Sequence, residues 1–281
     1  MTTIDATLRA ALGGAGADLT LTLDPAFQGL PDAAHGGSVL GLFDLLAARR
    51  DRRTVRGRYL RRVPLGVPLA LTLARDADRL ACCVAEPAGG AVLVDGAVDV
   101  AHLASDAVPD MPAASAPAPL PVSLTCFACG LENPRGLRAQ LAFDGGAVTG
   151  AWVPRPGFVR DDGRLSPIAL TTLLDEAAFW LGALASGESG MTTELVVTLH
   201  GEASAAGAVL LRGDRAATRP RADDARYWDT QITARDEAGR VLATAAITFV
   251  AVRGAARRLV TGLLAINPAD VVRRVFPAYC P

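Results

Sequence analysis

The sequence predicts an α+β chain in which one folding unit is used twice. A strand-like segment, a turn-rich loop, an apolar helix and four further strand-like segments follow one another from Ala17 to Val100, and the same order returns from Leu137 to Val252. Between the two runs lies Val108–Pro121, with five prolines among alanines and serines. The two helices also carry an aspartate at the same offset, in Phe43-Asp44 and in Leu174-Asp175. A repeat of about 130 residues that recurs in element order rather than in identity marks an internal duplication. The length of 281 residues suits two such units.

Each element has a local reason. Met1–Gly16 reads as a short helix, because Ile4, Leu8, Ala11 and Leu12 recur at helical spacing. Ala17–Leu23 alternates as a strand, with Leu19, Leu21 and Leu23 on one face. Asp24–Ala34 is rich in Pro, Gly and Asp and reads as a loop. Gly37–Arg50 reads as a helix whose apolar side is Val39, Leu40, Phe43, Leu46 and Ala47. Strands are expected at Thr54–Arg62, Val67–Arg75, Arg79–Ala85 and Ala91–Val100, separated by turn residues. The proline-dense stretch Val108–Pro121 cannot pack as a regular element and reads as a linker. In the second run, Leu137–Phe143 and Ala147–Val153 form a hairpin about Asp144-Gly145-Gly146, and a helix spans Pro167–Ala185. Strands follow at Met191–His200, Ala208–Ala217, Tyr227–Arg235 and Val241–Val252. The expected division is therefore residues 1–107, a linker over 108–121, a second unit over 122–253, and an irregular tail over 254–281 ending in a short helix near Pro268–Val275. A helix laid on a run of antiparallel strands is an α+β layer pair.

Composition excludes several classes. Half the residues (51%) are hydrophobic and 20% are charged, which is the balance of a folded globular chain. A net charge of −1 provides no field for nucleic acid or an anionic membrane, and the arginines of Arg49–Arg53 and Arg56–Arg62 read as a solvated helix end and strand face. The N-terminus lacks the basic start and apolar core of a signal peptide, and no apolar run approaches the roughly 20 residues of a membrane helix. Five cysteines, two of them adjacent (Cys82 and Cys83), form a poor disulfide framework and point to a reducing cytoplasm. One Cys126-x-x-Cys129 pair in a chain with three histidines is a thin ligand set, so neither a metal nor a cofactor is expected. The pair reads as part of a turn or cap beside the sheet. There is no phosphate loop, dinucleotide fingerprint or Gly-x-Ser-x-Gly elbow.

Three stretches concentrate the remaining signal. They are Phe27-Gln28-Gly29-Leu30-Pro31 leading to His35-Gly36-Gly37 and Asp44; Cys126-Phe127-Ala128-Cys129-Gly130-Leu131-Glu132-Asn133-Pro134-Arg135-Gly136-Leu137; and Leu173-Leu174-Asp175-Glu176-Ala177. In these motifs both halves resemble the hotdog fold, a long helix wrapped by a curved antiparallel sheet. The likeness is strongest to small acyl-CoA thioesterases of the phenylacetate-pathway (PaaI-like) type. The resemblance implies two tandem hotdog domains forming an intramolecular pseudo-dimer, a covalent version of the family's usual dimer that leaves room for a further homodimer of chains. It also implies active sites built across the interface, and an acyl-CoA or acyl-carrier-protein thioester as the partner molecule.

The residues themselves say which groups could act. Thioester hydrolysis needs a donor to polarise the carbonyl and a carboxylate to activate water or attack directly. A helix N-terminus offers unpaired amides at the positive end of its dipole, and glycine lets a carbonyl approach the backbone. Gly36, with Gly37 beside it, is the natural donor, and the Gln28 amide could assist. His35 either orients the loop or touches the thioester. Asp44 lies eight residues beyond Gly36, roughly 12 Å along the same helix at 1.5 Å per residue, so it cannot serve that donor. An antiparallel partner helix would bring its mid-helix Asp175 there instead. Thr192 or Thr193, on the strand after that helix, could hold water, while Glu176, about 100° around the helix from Asp175, is expected to face solvent. The reciprocal site would set Asp44 against Ser166 and Pro167. Proline has no N–H to donate, so this second site is expected to be degenerate. Two other readings stay open: a catalytically silent double hotdog that binds acyl-CoA or a partner protein, and a dehydratase or hydratase using a His and a carboxylate.

Overall fold

The computed structural model describes residues 2–101 and 117–280. Residues 108–116 of the expected linker lie outside the described residues. The first half comprises α1 (Ile4–Ala10), β1 (Leu12–Ala15), β2 (Asp18–Leu21), α2 (Gly36–Ala47), β3 (Arg52–Tyr59), β4 (Leu69–Arg75), β5 (Arg79–Ala85) and β6 (Val92–Val100). The second comprises β7 (Ala118–Pro119), β8 (Leu141–Phe143), β9 (Ala147–Trp152), α3 (Pro167–Ser186), β10 (Gly190–His200), β11 (Val209–Asp214), β12 (Arg219–Pro220), β13 (Tyr227–Arg235) and β14 (Val241–Ala251). Helices α4 (Ala256–Leu264) and α5 (Ala269–Val275) complete the described chain.

The duplication is visible in the sheet. The strand order runs β1-β2-β4-β5-β6-β3 through the first half and then β10-β14-β13-β11-β9-β8-β7 through the second. Read from the centre outward, each half has the same connectivity. The halves join where β3 and β10 pair antiparallel, with Val55 opposite Val197. One continuous antiparallel sheet of fourteen strands therefore curves around both long helices. Its inward positions at the junction are filled by aliphatic residues: Val55 of β3 and Leu195 and Val197 of β10 are fully buried.

Helices α2 and α3 run antiparallel through the middle, in contact along their glycine-bearing stretch. A Cβ on Gly37 would stand 2.5 Å from the Thr171 carbonyl oxygen, and one on Gly41 would stand 2.7 Å from Ile168 side-chain atoms. The Thr171 hydroxyl donates to the Gly37 carbonyl at 2.7 Å. Helix α2 ends at Ala47, where Ala48 turns left-handed (φ 54°) and returns its N–H to Asp44. Helix α3 starts with Pro167 in its first turn, where the missing N–H costs nothing, and stops at the left-handed Gly187.

Several expectations need correcting. The helix predicted over Met1–Gly16 stops at Ala10, and Leu12–Ala15 instead forms a hairpin with β2 because positive-φ Gly14 and Gly16 favour a turn. The tail is not irregular before Pro268: Ala256–Leu264 is helical, with Val260 and Leu263 buried. Proline density does not prevent Ala118–Pro119 from adding a short edge strand to β8. Helix α3 is by length and composition apolar enough to cross a membrane, but nearly all of it is buried in the core. A helix hydrophobic on all sides is what a two-sided core position demands.

Asp44 belongs to the scaffold. It is buried against an equally buried Arg53 of β3, whose Nη2 donates to Asp44 Oδ2 at 2.8 Å while Nε bonds Oδ1; Nη1 donates to the Asp51 carbonyl at 2.8 Å. Removing one partner strands a buried charge, so Asp44→Ala is expected to lower unfolding free energy by about 3–5 kcal/mol, read as a reduced urea midpoint. Gly37→Ala should cost about 1–3 kcal/mol by forcing α2 away from α3, measured in the same way.

Candidate active site

The loop before α2 is fixed by its own backbone. His35 N–H donates to the Phe27 carbonyl at 2.8 Å, and Gln28 bridges to Ala34. This brings His35 to the N-cap of α2 and exposes Gly36 at the first helical position. Among the described residues no acceptor bonds the Gly36 N–H, as the geometry of a helix start dictates. The Gly36 carbonyl is held by the Tyr59 hydroxyl of β3 at 2.6 Å.

The antiparallel helix pair carries Asp175 of α3 to this point. Asp175 is buried, and its Oδ2 accepts the Gly37 N–H at 2.8 Å and lies 3.1 Å from His35 Nδ1. Its Oδ1 accepts the Thr192 hydroxyl of β10 at 2.5 Å. A Cβ on Gly36 would stand 2.9 Å from Asp175 Oδ2, so only glycine leaves this approach open. Burial pushes the Asp175 carboxyl upward, but the His35 hydrogen bond and charge, with the Thr192 and Gly37 donors, outweigh it and hold the group below the usual carboxylate range. Burial lowers His35 in turn, yet hydrogen bonds to Asp175 and Glu176 prevail and raise it well above the ordinary imidazole value.

These groups line one cavity of about 360 Å³ between the halves, within the size range of small-molecule sites. Gln28, Tyr59, Cys126, Cys129, Phe179, Trp180 and Met191 form its walls, and Leu259 and Leu263 of α4 cover one side. Exposed Arg61, Arg62 and Arg258 stand among its lining residues.

The structure thus gathers Gly36, His35, Asp175 and Gln28 in one place and removes others. Gly37 is not a free donor, because its N–H is spent on Asp175. Thr193 turns its hydroxyl to the Thr248 carbonyl, and Thr192 is the threonine facing Asp175. Gln28 lies on the wall with its amide tied to Thr125 at 2.7 Å. Glu176 does not face solvent: it is buried, accepts the Trp180 indole N–H at 2.8 Å and lies 3.4 Å from His35 Nε2. A residue 100° from Asp175 on a fully enclosed helix still faces protein, which the amphipathic picture misses. Among the described residues no hydrogen bond joins Asp44 to Ser166 or Pro167. Its carboxylate goes to Arg53, while the Ser166 hydroxyl, rather than capping α3, donates to Asp5 of α1, which also pairs with Arg160 at 2.6 Å. At this second helix start Ser166 is buried.

Cys126 and Cys129 bracket a turn, one of the two expected placements, and they also border the cavity. The stretch after the linker crosses to the first half: Phe127 N–H donates to the Gln28 carbonyl at 2.6 Å, and Asn133 Nδ2 donates to the Ala26 carbonyl at 2.7 Å. Phe127 packs against Phe27 with ring centroids 4.9 Å apart. Hydrogen bonding from Cys129 holds the Cys126 thiol below its usual range, while that same bond, and then burial, push Cys129 well above it. Glu176, Tyr59, Trp180 and the α4 residues carry no sequence signal of a site; only the Cys-x-x-Cys spacing could have drawn attention to this wall.

No protein-family model and no curated protein matches the sequence. Solved structures do. The chain is similar to an acyl-CoA thioesterase II, TesB2, from Mycobacterium marinum (TM-score 0.56, 15% identity, covering 86% of this chain and 95% of that one). It is also similar to a hotdog-fold protein of unknown function from Alicyclobacillus acidocaldarius (TM-score 0.56, 10% identity, 90% and 99% covered). A third similar structure is the GphF dehydratase (TM-score 0.56, 18% identity, 84% and 93% covered). These likenesses take in most of this chain and nearly all of each neighbour, and the chain is a tandem double hotdog.

Proposed function

We propose that the chain hydrolyses acyl thioesters, of acyl-CoA or an acyl-carrier protein, in the cavity between its two halves. One observation carries this reading: a Gly36 N–H at a helix start, with no acceptor among the described residues, sits beside a carboxylate, Asp175, supplied by the opposite half. The thioester carbonyl oxygen accepts the Gly36 N–H, where the developing oxyanion is stabilised by the donor and the helix dipole. Asp175 takes a proton from water, which attacks the carbonyl carbon; the C–S bond then breaks, and the leaving thiolate takes that proton from Asp175, restoring the carboxylate. Thr192 and Gly37 orient the carboxylate, and His35 balances its charge. The apolar wall of Phe179, Met191 and Leu259 suits an acyl or pantetheine chain. The five free cysteines fit a reducing compartment.

A second reading has its own observation. His35 and Asp175, one from each half, face each other at 3.1 Å, a His–carboxylate pair of the kind a β-hydroxyacyl dehydratase requires. Thiol release from saturated acyl-CoAs, set beside enoyl formation from 3-hydroxyacyl-CoAs, separates the two. Hydrolysis is expected to dominate; enoyl product without free thiol would replace the first reading with the second, and neither product would leave a binding protein. Asp175→Asn should lower kcat by about 10²–10⁴ with the fold intact by circular dichroism. Thr192→Val, which deletes one donor to Asp175 but leaves its charge, should reduce kcat more than KM; an unchanged kcat would remove Thr192 from the mechanism.

A further inference from the structure

We propose that His35, Cys126 and Glu176 form a binding site for a zinc-class divalent cation, open to the cavity. The three residues come from three elements: the α2 N-cap, the turn that opens the second half, and α3. All are buried, and one ligand atom from each lies within 4.8 Å of the other two. Tetrahedral zinc ligands at about 2.0–2.3 Å stand roughly 3.3–3.7 Å apart, and the His35 Nε2 to Glu176 Oε2 separation is 3.4 Å. A thiolate, an imidazole and a carboxylate together suit zinc rather than magnesium or calcium, which take oxygen ligands.

The surroundings are those of a ligand set. His35 Nδ1 faces Asp175 Oδ2 at 3.1 Å, so Nδ1–H donates to that carboxylate, and Nε2, 3.4 Å from Glu176 Oε2, is the nitrogen turned toward the ligand set. Gly37 N–H bonds Asp175 at 2.8 Å, which is shorter than its 3.2 Å approach to His35 Nδ1 and consistent with that tautomer. Glu176 is oriented by the Trp180 indole through its other oxygen, Oε1. Cys126 Sγ accepts the Ala128 N–H at 3.3 Å, a donor that favours thiolate. The tight Cys-x-x-Cys-Gly turn around it requires Gly130, where any Cβ would run into the Cys126 carbonyl. A cation replaces the proton on His35 Nε2 and the thiol proton of Cys126. Three protein ligands leave the fourth position to water or substrate, and His35, Cys126 and Glu176 all line the cavity. One cysteine pair is a thin ligand set along the chain; folding adds the imidazole and the carboxylate that complete it.

The test is metal content of the full chain expressed with zinc, gel-filtered and measured by mass spectrometry. One zinc per chain is expected, lost in Cys126→Ser and in Glu176→Gln and retained in Cys83→Ser, which lies outside the site. Cobalt substitution should give a thiolate-to-cobalt charge-transfer band that disappears in Cys126→Ser. Asp175→Asn should keep the site but weaken it about 10–100-fold, as loss of a histidine-orienting carboxylate does. Wild-type protein without stoichiometric metal, Cys126→Ser binding as much as wild type, or a Cys126–Cys129 disulfide in the native protein would each overturn the proposal. Metal content and thioester hydrolysis are separate measurements. Zinc without hydrolysis removes only the hydrolase reading, and hydrolysis by wild-type protein isolated from zinc-supplied cells without zinc removes only this site.

Discussion

Helices α2 and α3 meet backbone to backbone, and the cavity depends on that contact. With Gly37 against Thr171 and Gly41 against Ile168, the helices approach more closely than any side chain at those positions would permit. The close approach lets Gly37 N–H reach a carboxylate on the other helix at 2.8 Å. An orphan amide of one helix start thereby stabilises an ionised group from a different half of the chain. Because the helices are antiparallel, the mid-helix residue of one lies over the first turn of the other. This arrangement, rather than any single loop, brings Asp175 to Gly36.

The two halves have diverged around the same geometry. In each, the mid-helix aspartate is held by a residue near the start of the strand that follows: Arg53 of β3 for Asp44, Thr192 of β10 for Asp175. The difference is charge and reach. A guanidinium engages both carboxylate oxygens and completes a buried ion pair, which ties Asp44 to stability. A hydroxyl engages one oxygen and leaves Asp175 bordering a cavity. At the opposite helix starts the same split holds. Gly36 keeps its N–H, whereas Pro167 has none, and Asp5 of α1 occupies the neighbouring Ser166 hydroxyl.

The cavity wall is assembled from segments with no local reason to be functional. The turn Cys126–Gly130 is carried to His35 because Phe127 inserts against Phe27 and Asn133 bonds across to Ala26. Helix α4 closes another side because Val260 and Leu263 are buried. Burial of His35 between Asp175 and Glu176 follows from these packings, and a charged imidazole there is compatible with the interior only because both carboxylates reach it.

By itself, the sequence determined the α+β class, the duplication, most strand positions and the place of the two long helices. These follow from periodicity, turn residues and helix-start chemistry, all of which act over a few residues. It also determined that Asp44 could not serve Gly36, since helix rise is a local constant. Tertiary structure alone decided that Thr192 rather than Thr193 faces Asp175, that Glu176 is buried, that Arg53 neutralises Asp44, and that Cys126 meets His35. Each of those depends on strand register or on contacts between residues far apart in the chain. A one-residue change of register exchanges the faces of a strand, and a helix enclosed on every side carries no pattern to say which neighbour its polar residues will meet.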